Sequence, residues 1–282
     1  MLMIRILQIA FLTIMALLPT GCRRTVEEPI WERVKITDLV PSDVNEQIEG
    51  QRLKTINFNV HIYEIPSDNI GTLEEIWPMV YSEPLQFNNF EAFSGNSFRA
   101  GFGQIPMWSR IADLLRSADG IQVGRVSLLL PDGRFNDIAV AVLNKEQAIF
   151  YFSEKRSMNK AKFEPGQFGL RIGAEKITGS RGACFVSILP VFSPLRRGLL
   201  PPLSRHEKPE DILFTATGFS MKMSPGDFVL VGPEKYNDSL TTLGGLFFSK
   251  PEGSLFFSEL ERKMPEHKPA LRLFLLVCTG VN

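Results

Sequence analysis

Apolar and polar residues follow regular spacings in the first half of the chain. Ile56, Phe58, Val60 and Ile62 alternate with polar or aromatic residues, which predicts a strand with one buried face. Helical spacing follows at residues 73–80 and again after Pro106, and residues 121–130 return to a strand pattern. The turn Pro131-Asp132-Gly133 closes that strand. We therefore expect a small α/β module over residues 52–133.

The second half has short apolar runs separated by turn residues and almost no helical period. The runs are residues 138–143, 148–152, 184–189, 214–223, 228–231, 243–248 and 271–278. The first two flank a short polar stretch and predict a hairpin. So many short strands predict a mainly antiparallel β sandwich or curled sheet over residues 134–282, which makes the chain an α+β protein.

The last run predicts a central strand. Both of its faces are apolar and Arg272 is its only charge, so we expect it to be covered on both sides, by a sandwich or by another subunit. One face has Leu271, Leu273, Leu275 and Val277, and the other has Phe274, Leu276 and Cys278.

Residues 190–209 contain five prolines and interrupt the β region. Proline cannot donate a hydrogen bond to a neighbouring strand, so we predict a projecting loop and not a central strand. Its leucines and arginines favour contact with a partner or with lipid. The residues expected to make that contact are Leu195, Arg196, Arg197, Leu199, Leu200 and Leu203.

Composition narrows the class of protein. The chain has 282 residues, of which 44% are hydrophobic and 22% charged, as in a globular protein. Its 31 basic residues equal its 31 acidic residues, which argues against a protein that binds nucleic acid by neutralising phosphates.

The N-terminal residues have the pattern of an export signal. Residues 6–18 form an apolar run that is shorter than the roughly 20 residues of a membrane-spanning helix. The sequence Leu18-Pro19-Thr20-Gly21-Cys22 resembles the cleavage box of bacterial lipoproteins, although Pro19 stands where that family has an aliphatic residue. The resemblance implies cleavage after residue 21 and lipidation of Cys22. The alternative is a conventional secretory signal peptide with an incidental Cys22.

After cleavage, residues 22–51 read as a polar, lipid-anchored tether. The processed chain loses only Arg5 among its charged residues, so 30 basic and 31 acidic residues remain. Acyl chains must then supply the affinity for the membrane. Arg23 follows the lipidated cysteine, and the lipoprotein resemblance then favours the outer membrane over the inner, with the protein facing the periplasm.

Glycine and apolar motifs in residues 165–282 resemble the closing part of the bacterial secretin module. They are Pro225-Gly226-Asp227 leading into a strand that ends at Gly232, then Leu243-Gly244-Gly245-Leu246-Phe247, and then the last apolar strand. The family's Val-Pro-x-Leu-Gly segment is missing here. The resemblance implies a β-rich element of a large outer-membrane ring, working with an envelope protein partner or as a homo-oligomer.

No motif for nucleotide binding, serine hydrolysis, zinc proteolysis or dithiol redox chemistry occurs in the sequence, and no cofactor or metal is expected. We therefore expect a non-enzymatic, lipid-anchored envelope protein with a structural or assembly role. The alternatives are a lipoprotein that binds a small apolar ligand in a Phe-lined β cavity, and an envelope hydrolase.

Two cysteines fall in predicted strands. Cys184 and Cys278 form a disulfide if the chain is exported to an oxidising compartment, or else they are two buried apolar positions. The sequence leaves both interpretations open.

Overall fold

The structure, a computed structural model, describes residues 55–154, 157–180, 182–195, 210–235, 237, 239–250 and 269–282. Residues Leu53–Asn282 form one compact unit. The strands in chain order are β1 Thr55–Pro66, β2 Gln86–Phe87, β3 Phe98–Gln104, β4 Ile121–Pro131, β5 Arg134–Leu143, β6 Gln147–Phe152, β7 Met158–Phe163, β8 Gly166–Lys176, β9 Cys184–Pro194, β10 Ile212–Leu213, β11 Phe219–Met223, β12 Asp227–Pro233, β13 Ser249–Lys250 and β14 Ala270–Val281. The helices are α1 Ile70–Ile76, α2 Phe90–Gly95, α3 Ile105–Ser117 and α4 Leu243–Phe248, with 3₁₀ turns at Ser67–Asn69, Trp77–Met79 and Thr215–Thr217.

The strands form two larger antiparallel sheets and one hairpin. Sheet A has the order β3-β12-β14-β1-β4, with β13 beside β14. Sheet B has the order β2-β11-β9-β8-β5, with β10 beside β9, and β6 pairs with β7. The α+β fold with a sandwich-like arrangement of sheets, expected from the sequence, is confirmed.

Sheet A is covered on both faces, and β14 lies at its centre between β1 and β12. Leu271, Leu273 and Leu275 pack against α1 and α3, in a core that includes Leu73 and Ile111. The alternate residues of β14, which include Leu276 and Cys278, belong to the core between sheets A and B. The predicted double burial of this strand is confirmed, with helices on one face and the second sheet on the other.

Helix α3 shows how the sequence determines local structure. Pro106 lies in its first turn, where its missing N–H costs no intrahelical hydrogen bond, and Ile111 and Leu115 point into the core. Helix α1 ends at Ile76 because Pro78 cannot continue it, and a 3₁₀ turn follows. Both helices were expected from their apolar spacing.

A buried asparagine joins three elements around the core. The Asn96 side chain donates hydrogen bonds to the carbonyl of Ala92 at 2.8 Å, to that of Phe152 at 3.0 Å and to the Thr217 hydroxyl at 2.9 Å. Its own Oδ1 accepts the Phe152 N–H at 2.8 Å. The C-terminal end of α2, strand β6 and the 3₁₀ turn at Thr215–Thr217 are thereby fixed to one another.

Two predictions for the β region were wrong, one a strand pairing and the other a strand assignment. Residues 138–143 and 148–152 do not pair as a hairpin, because β5 pairs with β8 and β6 pairs with β7. The run Leu243–Phe248 is helix α4 and not a strand; Thr242 caps it by accepting the Gly245 N–H. Its side chains are nonetheless core: Phe247 and Phe248 are fully buried.

Residues 190–194 of the predicted loop belong to β9, and residues 196–209 lie outside the described residues. Pro190 lies opposite Leu170 of β8. The Pro190 carbonyl accepts the Phe214 N–H at 3.0 Å, on the side where β10 has ended and β11 has not begun. No neighbouring strand in the described chain needs a donor from Pro190 there, so the proline is tolerated inside the sheet.

Strands from both predicted modules pair in sheet A, since β1 and β14 run side by side over eleven positions. The boundary expected at residue 133 falls in the tight turn between β4 of sheet A and β5 of sheet B. The described chain is therefore not divided into two domains at that point.

Candidate functional site

Two long edge strands lie next to each other on one side of the sandwich. Among the described residues, β4 is the last strand of sheet A and β5 is the last strand of sheet B. Only Asp132 and Gly133 separate them in the chain, and Gly133 has the left-handed conformation, with φ of 72°, that a tight turn requires. We call β4, β5 and this turn the double edge.

The turn of the double edge is fastened to sheet B. The Gly133 N–H donates to the Ala174 carbonyl at 2.9 Å, and the Lys176 N–H donates to Asp132 Oδ1 at 2.7 Å. Both bonds join the turn to β8, so they fix the end of β4 and the start of β5 relative to sheet B.

The double edge exposes large apolar side chains. Ile121 and Leu129 on β4 are 63% and 66% exposed, and Phe135 on β5 is 58% exposed. Arg125 is the one charged residue of β4. A strand edge with few charges and exposed apolar side chains is a surface to which another strand can pair.

A small cavity of about 180 Å³ lies between the two edge strands, beyond the turn. Val123 and Gly124 of β4 and Ala139 and Val140 of β5 line it, together with Arg272 of β14. The cavity is thus bounded by the same two strands that form the double edge.

A buried ionic cluster lies beside this cavity. Glu64 of β1 is directly opposite Arg272 of β14, and its Oε1 accepts a hydrogen bond from Arg272 Nε at 3.1 Å. Lys250 Nζ donates to the other carboxylate oxygen at 3.0 Å. Arg272 Nη1 also donates to the Val140 carbonyl at 3.1 Å, so the guanidinium links sheet A to β5 of sheet B.

A second charged cluster lies on the outer face of sheet B. Arg171 makes a bidentate pair with Asp137, both bonds being 2.7 Å, and also binds Asp211, which accepts the Ser193 hydroxyl at 2.7 Å. The Arg171 guanidinium stacks 4.2 Å from the centre of the exposed Phe135 ring. The hydrogen bond to Asp137 is the main reason why the pKa of Arg171 is raised above its usual value.

Burial alone disfavours the charged form of Asp211, but hydrogen bonds from Arg171 and Ser193 outweigh it and lower the pKa of this carboxyl. The carboxylate therefore stays ionised and occupied as an acceptor at neutral pH. That state suits a structural ion pair and not a general acid.

The phenylalanine-rich interior is filled by its own rings. Phe168 packs 4.8 Å from Phe192 and 5.5 Å from Phe163, measured between ring centres, and Phe93, Phe98, Phe219, Phe247 and Phe248 extend the contacts. Larger hollows lie elsewhere. One of about 280 Å³ lies between Tyr151 and Phe214, and one of about 590 Å³ lies on the surface beside Glu75 and Arg110.

The two strand cysteines are brought together. Cys184 at the start of β9 and Cys278 in β14 are both buried and belong to the same core between the two sheets. Interaction with the Cys278 side chain, together with burial, raises the pKa of Cys184. Both thiols are free in this structure.

The remaining site residues from the sequence lie mostly outside the described residues. These are Cys22 with the tether 22–51, and Arg196, Arg197, Leu199, Leu200 and Leu203 of the proline-rich loop. Leu195 follows β9, is 52% exposed, and donates its N–H to the Pro165 carbonyl at 2.9 Å.

Within the described ranges there is no group of three or more His, Cys, Asp or Glu side chains placed to hold a metal ion. None of the helices in that part of the chain is both long enough and apolar enough to span a membrane. Comparisons with known proteins give no match to a protein family, a curated protein or a solved structure.

Sequence reasoning missed the double edge. The run Leu128-Leu129-Leu130 was visible as a strand, and the turn after it was expected, but the sequence did not show that both flanking strands end their sheets. Strand order depends on pairings between distant segments, which local patterns do not encode.

Proposed function

We propose that this protein is a lipid-anchored protein of the bacterial cell envelope with a non-enzymatic assembly role, and that it engages its partner by strand addition at the double edge. The observation that carries the proposal is the pair of adjacent edge strands β4 and β5 with exposed Ile121, Leu129 and Phe135. The N-terminal lipoprotein box supplies the proposed anchor at Cys22.

Edge strands support assembly for a physical reason. Along an open edge, every second residue points its backbone N–H and C=O outward, where an added strand can pair with them, and apolar side chains on either face gain burial when it does. Strands β4 and β5 have 11 and 10 residues, so an added strand has room for many such bonds. The resemblance of residues 165–282 to the secretin module leads to the same expectation of assembly through β structure.

The two alternatives have weaker support. A pocket for a small organic ligand has a volume of about 300 Å³ or more, and the cavity between the sheets is about 180 Å³. The larger hollow beside Glu75 lies outside the Phe-rich core. For a hydrolase, the acids Asp137 and Asp211 meet at Arg171, and both are held by it in ion pairs.

The proposed anchor is tested by fractionation of cells that express the full chain. We expect wild-type protein in the membrane fraction with Cys22 as its modified first residue, and Cys22→Ser protein that is soluble or retains its signal peptide. A mature N-terminus at any residue other than Cys22, identified by mass spectrometry, would overturn the anchor.

The proposed strand addition is tested by photo-crosslinking in the same cells. A photoreactive amino acid at Leu129 or Phe135 should give a discrete crosslinked product, whether with a second copy of the chain or with another envelope protein. The matched control is Met158 of β7, which is 60% exposed but lies away from the double edge. Equal products from position 158 would contradict the proposal.

A second pair of variants distinguishes strand pairing at the edge from nonspecific hydrophobic association. With the photoreactive group at Phe135, Leu129→Lys should abolish the product because a charge on the edge opposes pairing. Leu129→Val keeps an apolar residue with high strand propensity there and should preserve the product. If both variants crosslink like the wild type, β4 is not the contact.

A further inference from the structure

Cys184 and Cys278 belong to different sheets but meet in one place. Cys184 begins β9 of sheet B and is 0% exposed, and Cys278 lies in β14 of sheet A and is 1% exposed. Both side chains are part of the core between the sheets. The Cys184 sulfur also lies 3.5 Å from the Met223 carbonyl oxygen.

The turn at Ser224-Pro225-Gly226 holds the two cysteines at the same level of the sandwich. It connects β11, which pairs with β9, to β12, which pairs with β14. Met223, just before the turn, is opposite Cys184, and the Gly226 N–H donates to the Cys278 carbonyl at 2.9 Å. The turn itself is closed by an Asp227 N–H to Ser224 carbonyl bond of 2.9 Å. The chain thus crosses between the sheets within three residues, beside both cysteines.

We propose that Cys184 and Cys278 form a disulfide that joins sheet A to sheet B in the exported protein. Of the two interpretations that the sequence left open, the geometry favours the bridge because the two cysteines are 94 positions apart in the chain and are brought to opposite ends of one short turn, in the core between the sheets. Two cysteines that served only as small apolar residues would have no reason to adjoin each other.

The oxidation balances as thiol–disulfide exchange. One cysteine thiolate attacks the disulfide of a thiol oxidoreductase, and a mixed disulfide forms with loss of one oxidoreductase thiolate. The second cysteine thiolate then displaces the other oxidoreductase sulfur. The chain loses two protons and two electrons, and the oxidoreductase disulfide is reduced to a dithiol. Because the folded core encloses both sulfurs, the exchange takes place before the two sheets close.

The bridge closes a long segment of chain and links one strand of each sheet. A closed loop of this length restricts the unfolded chain strongly, so the oxidised protein is the more stable form. The presence of an oxidant in the cell rests on the proposed export, because disulfides persist in exported compartments and not in the cytosol. A test with purified protein separates the bridge from export.

The experiment uses the full chain with Cys22→Ser, so that only Cys184 and Cys278 carry thiols. The protein is unfolded and refolded with oxidised and reduced glutathione, or with reductant alone, and free thiols are then alkylated in denaturant. We expect both cysteines to be protected after oxidative refolding, and a peptide pair joining them to appear on non-reducing mass spectrometry. The melting temperature should be higher than in reductant by about 5–15 °C.

The matched controls are Cys184→Ala and Cys278→Ala on the same background. Each variant removes a buried sulfur and can lower the melting temperature by loss of packing, but its melting temperature should not differ between oxidant and reductant. Full alkylation of both cysteines after oxidative refolding to the native fold would overturn the bridge. A bridged protein whose melting temperature equals that of the reduced form would overturn the stabilising role given to the bridge.

The same alkylation applied to cells tests export separately. Suppose that the bridge forms in vitro, but that protein from cells keeps its signal peptide and has no bridge. That result would count against export and leave the geometry of the bridge intact. Processed, membrane-bound protein with two free thiols would count against the bridge and leave the anchor intact.

Discussion

Glu64 and Arg272 are directly opposite each other on β1 and β14, and their side chains form an ion pair of 3.1 Å inside the sandwich. The side chains are 9% and 6% exposed. Removing these two charges from water costs free energy, and several hydrogen bonds offset that cost. The Glu64 carboxylate also accepts from Lys250 Nζ, and the Arg272 guanidinium also donates to the Val140 carbonyl.

Glu64→Gln should therefore be strongly destabilising, because it leaves two buried cations without their shared carboxylate. We expect the free energy of unfolding to fall by about 3 kcal/mol or more, measured by urea denaturation. The matched control is Glu146→Gln, which breaks an exposed pair with Lys162 and should change stability by less than about 1 kcal/mol. Equal effects of the two substitutions would show that burial of the Glu64 cluster is energetically unimportant.

Leu276→Ala tests whether β14 is the central strand of a single core. Leu276 is 2% exposed and lies between the sheets, so its truncation should cost about 2–5 kcal/mol in unfolding free energy. Leu129→Ala removes the same atoms from a side chain that is 66% exposed and should cost little unfolding free energy.

Truncation of the chain after Ala270 should prevent folding altogether. A truncated protein that melts cooperatively at the wild-type temperature would contradict the central position of β14.

Asn96→Asp tests the polar junction of α2, β6 and the 3₁₀ turn. A carboxylate has no N–H to donate to the Ala92, Phe152 and Thr217 oxygens around the Asn96 amide nitrogen, and it places a charge in a site that is 5% exposed. We expect a loss of at least about 2 kcal/mol in unfolding free energy near neutral pH. The loss should shrink in mild acid, since burial raises the pKa of the introduced carboxyl and its neutral form can donate again. A loss that is independent of pH would contradict this account.

The lowered pKa of Asp211 predicts that the protein loses stability in acid. The native pKa of Asp211 is below its unfolded value, so the stabilisation by its ionised form is complete at neutral pH. It is lost as the pH falls below about 4, through the native pKa. The urea midpoint of wild type should exceed that of Asp211→Asn at pH 7, and the difference should narrow in acid.

The control for that pH series is Asp113→Asn, which removes a carboxylate from an exposed i,i+3 pair with Arg116. Its midpoint should follow wild type throughout the series. A constant difference between wild type and Asp211→Asn at every pH would show that Asp211 acts through shape and not through its charge.

The sequence was most informative where a pattern reports burial directly. Apolar residues on both faces of residues 271–278 identified β14 as central, and the stripe containing Ile111 and Leu115 identified α3. In both cases the spacing of apolar side chains is itself the physical cause of the element.

It was least informative where the outcome depends on distant partners. A six-residue apolar run such as Leu243–Phe248 fits a strand or a buried helix equally well, and the Thr242 cap decided for the helix. Strands β5 and β6 are adjacent in the chain, but each found a partner elsewhere. The double edge is missed for the same reason, because a strand is an edge when no other strand pairs with one of its sides, and local sequence does not report that pairing.

The pairing of β1 with β14 also has a consequence for the order of synthesis. Ile56 is opposite Val281, and the Asn282 N–H donates to the Thr55 carbonyl at 2.9 Å, so β1, the first described strand, pairs with a strand that is synthesised much later. Sheet A therefore stays incomplete until β14 has been made, and contacts this distant in sequence form slowly. If the chain is exported as proposed, this delay leaves the nascent chain unfolded for a translocation machinery.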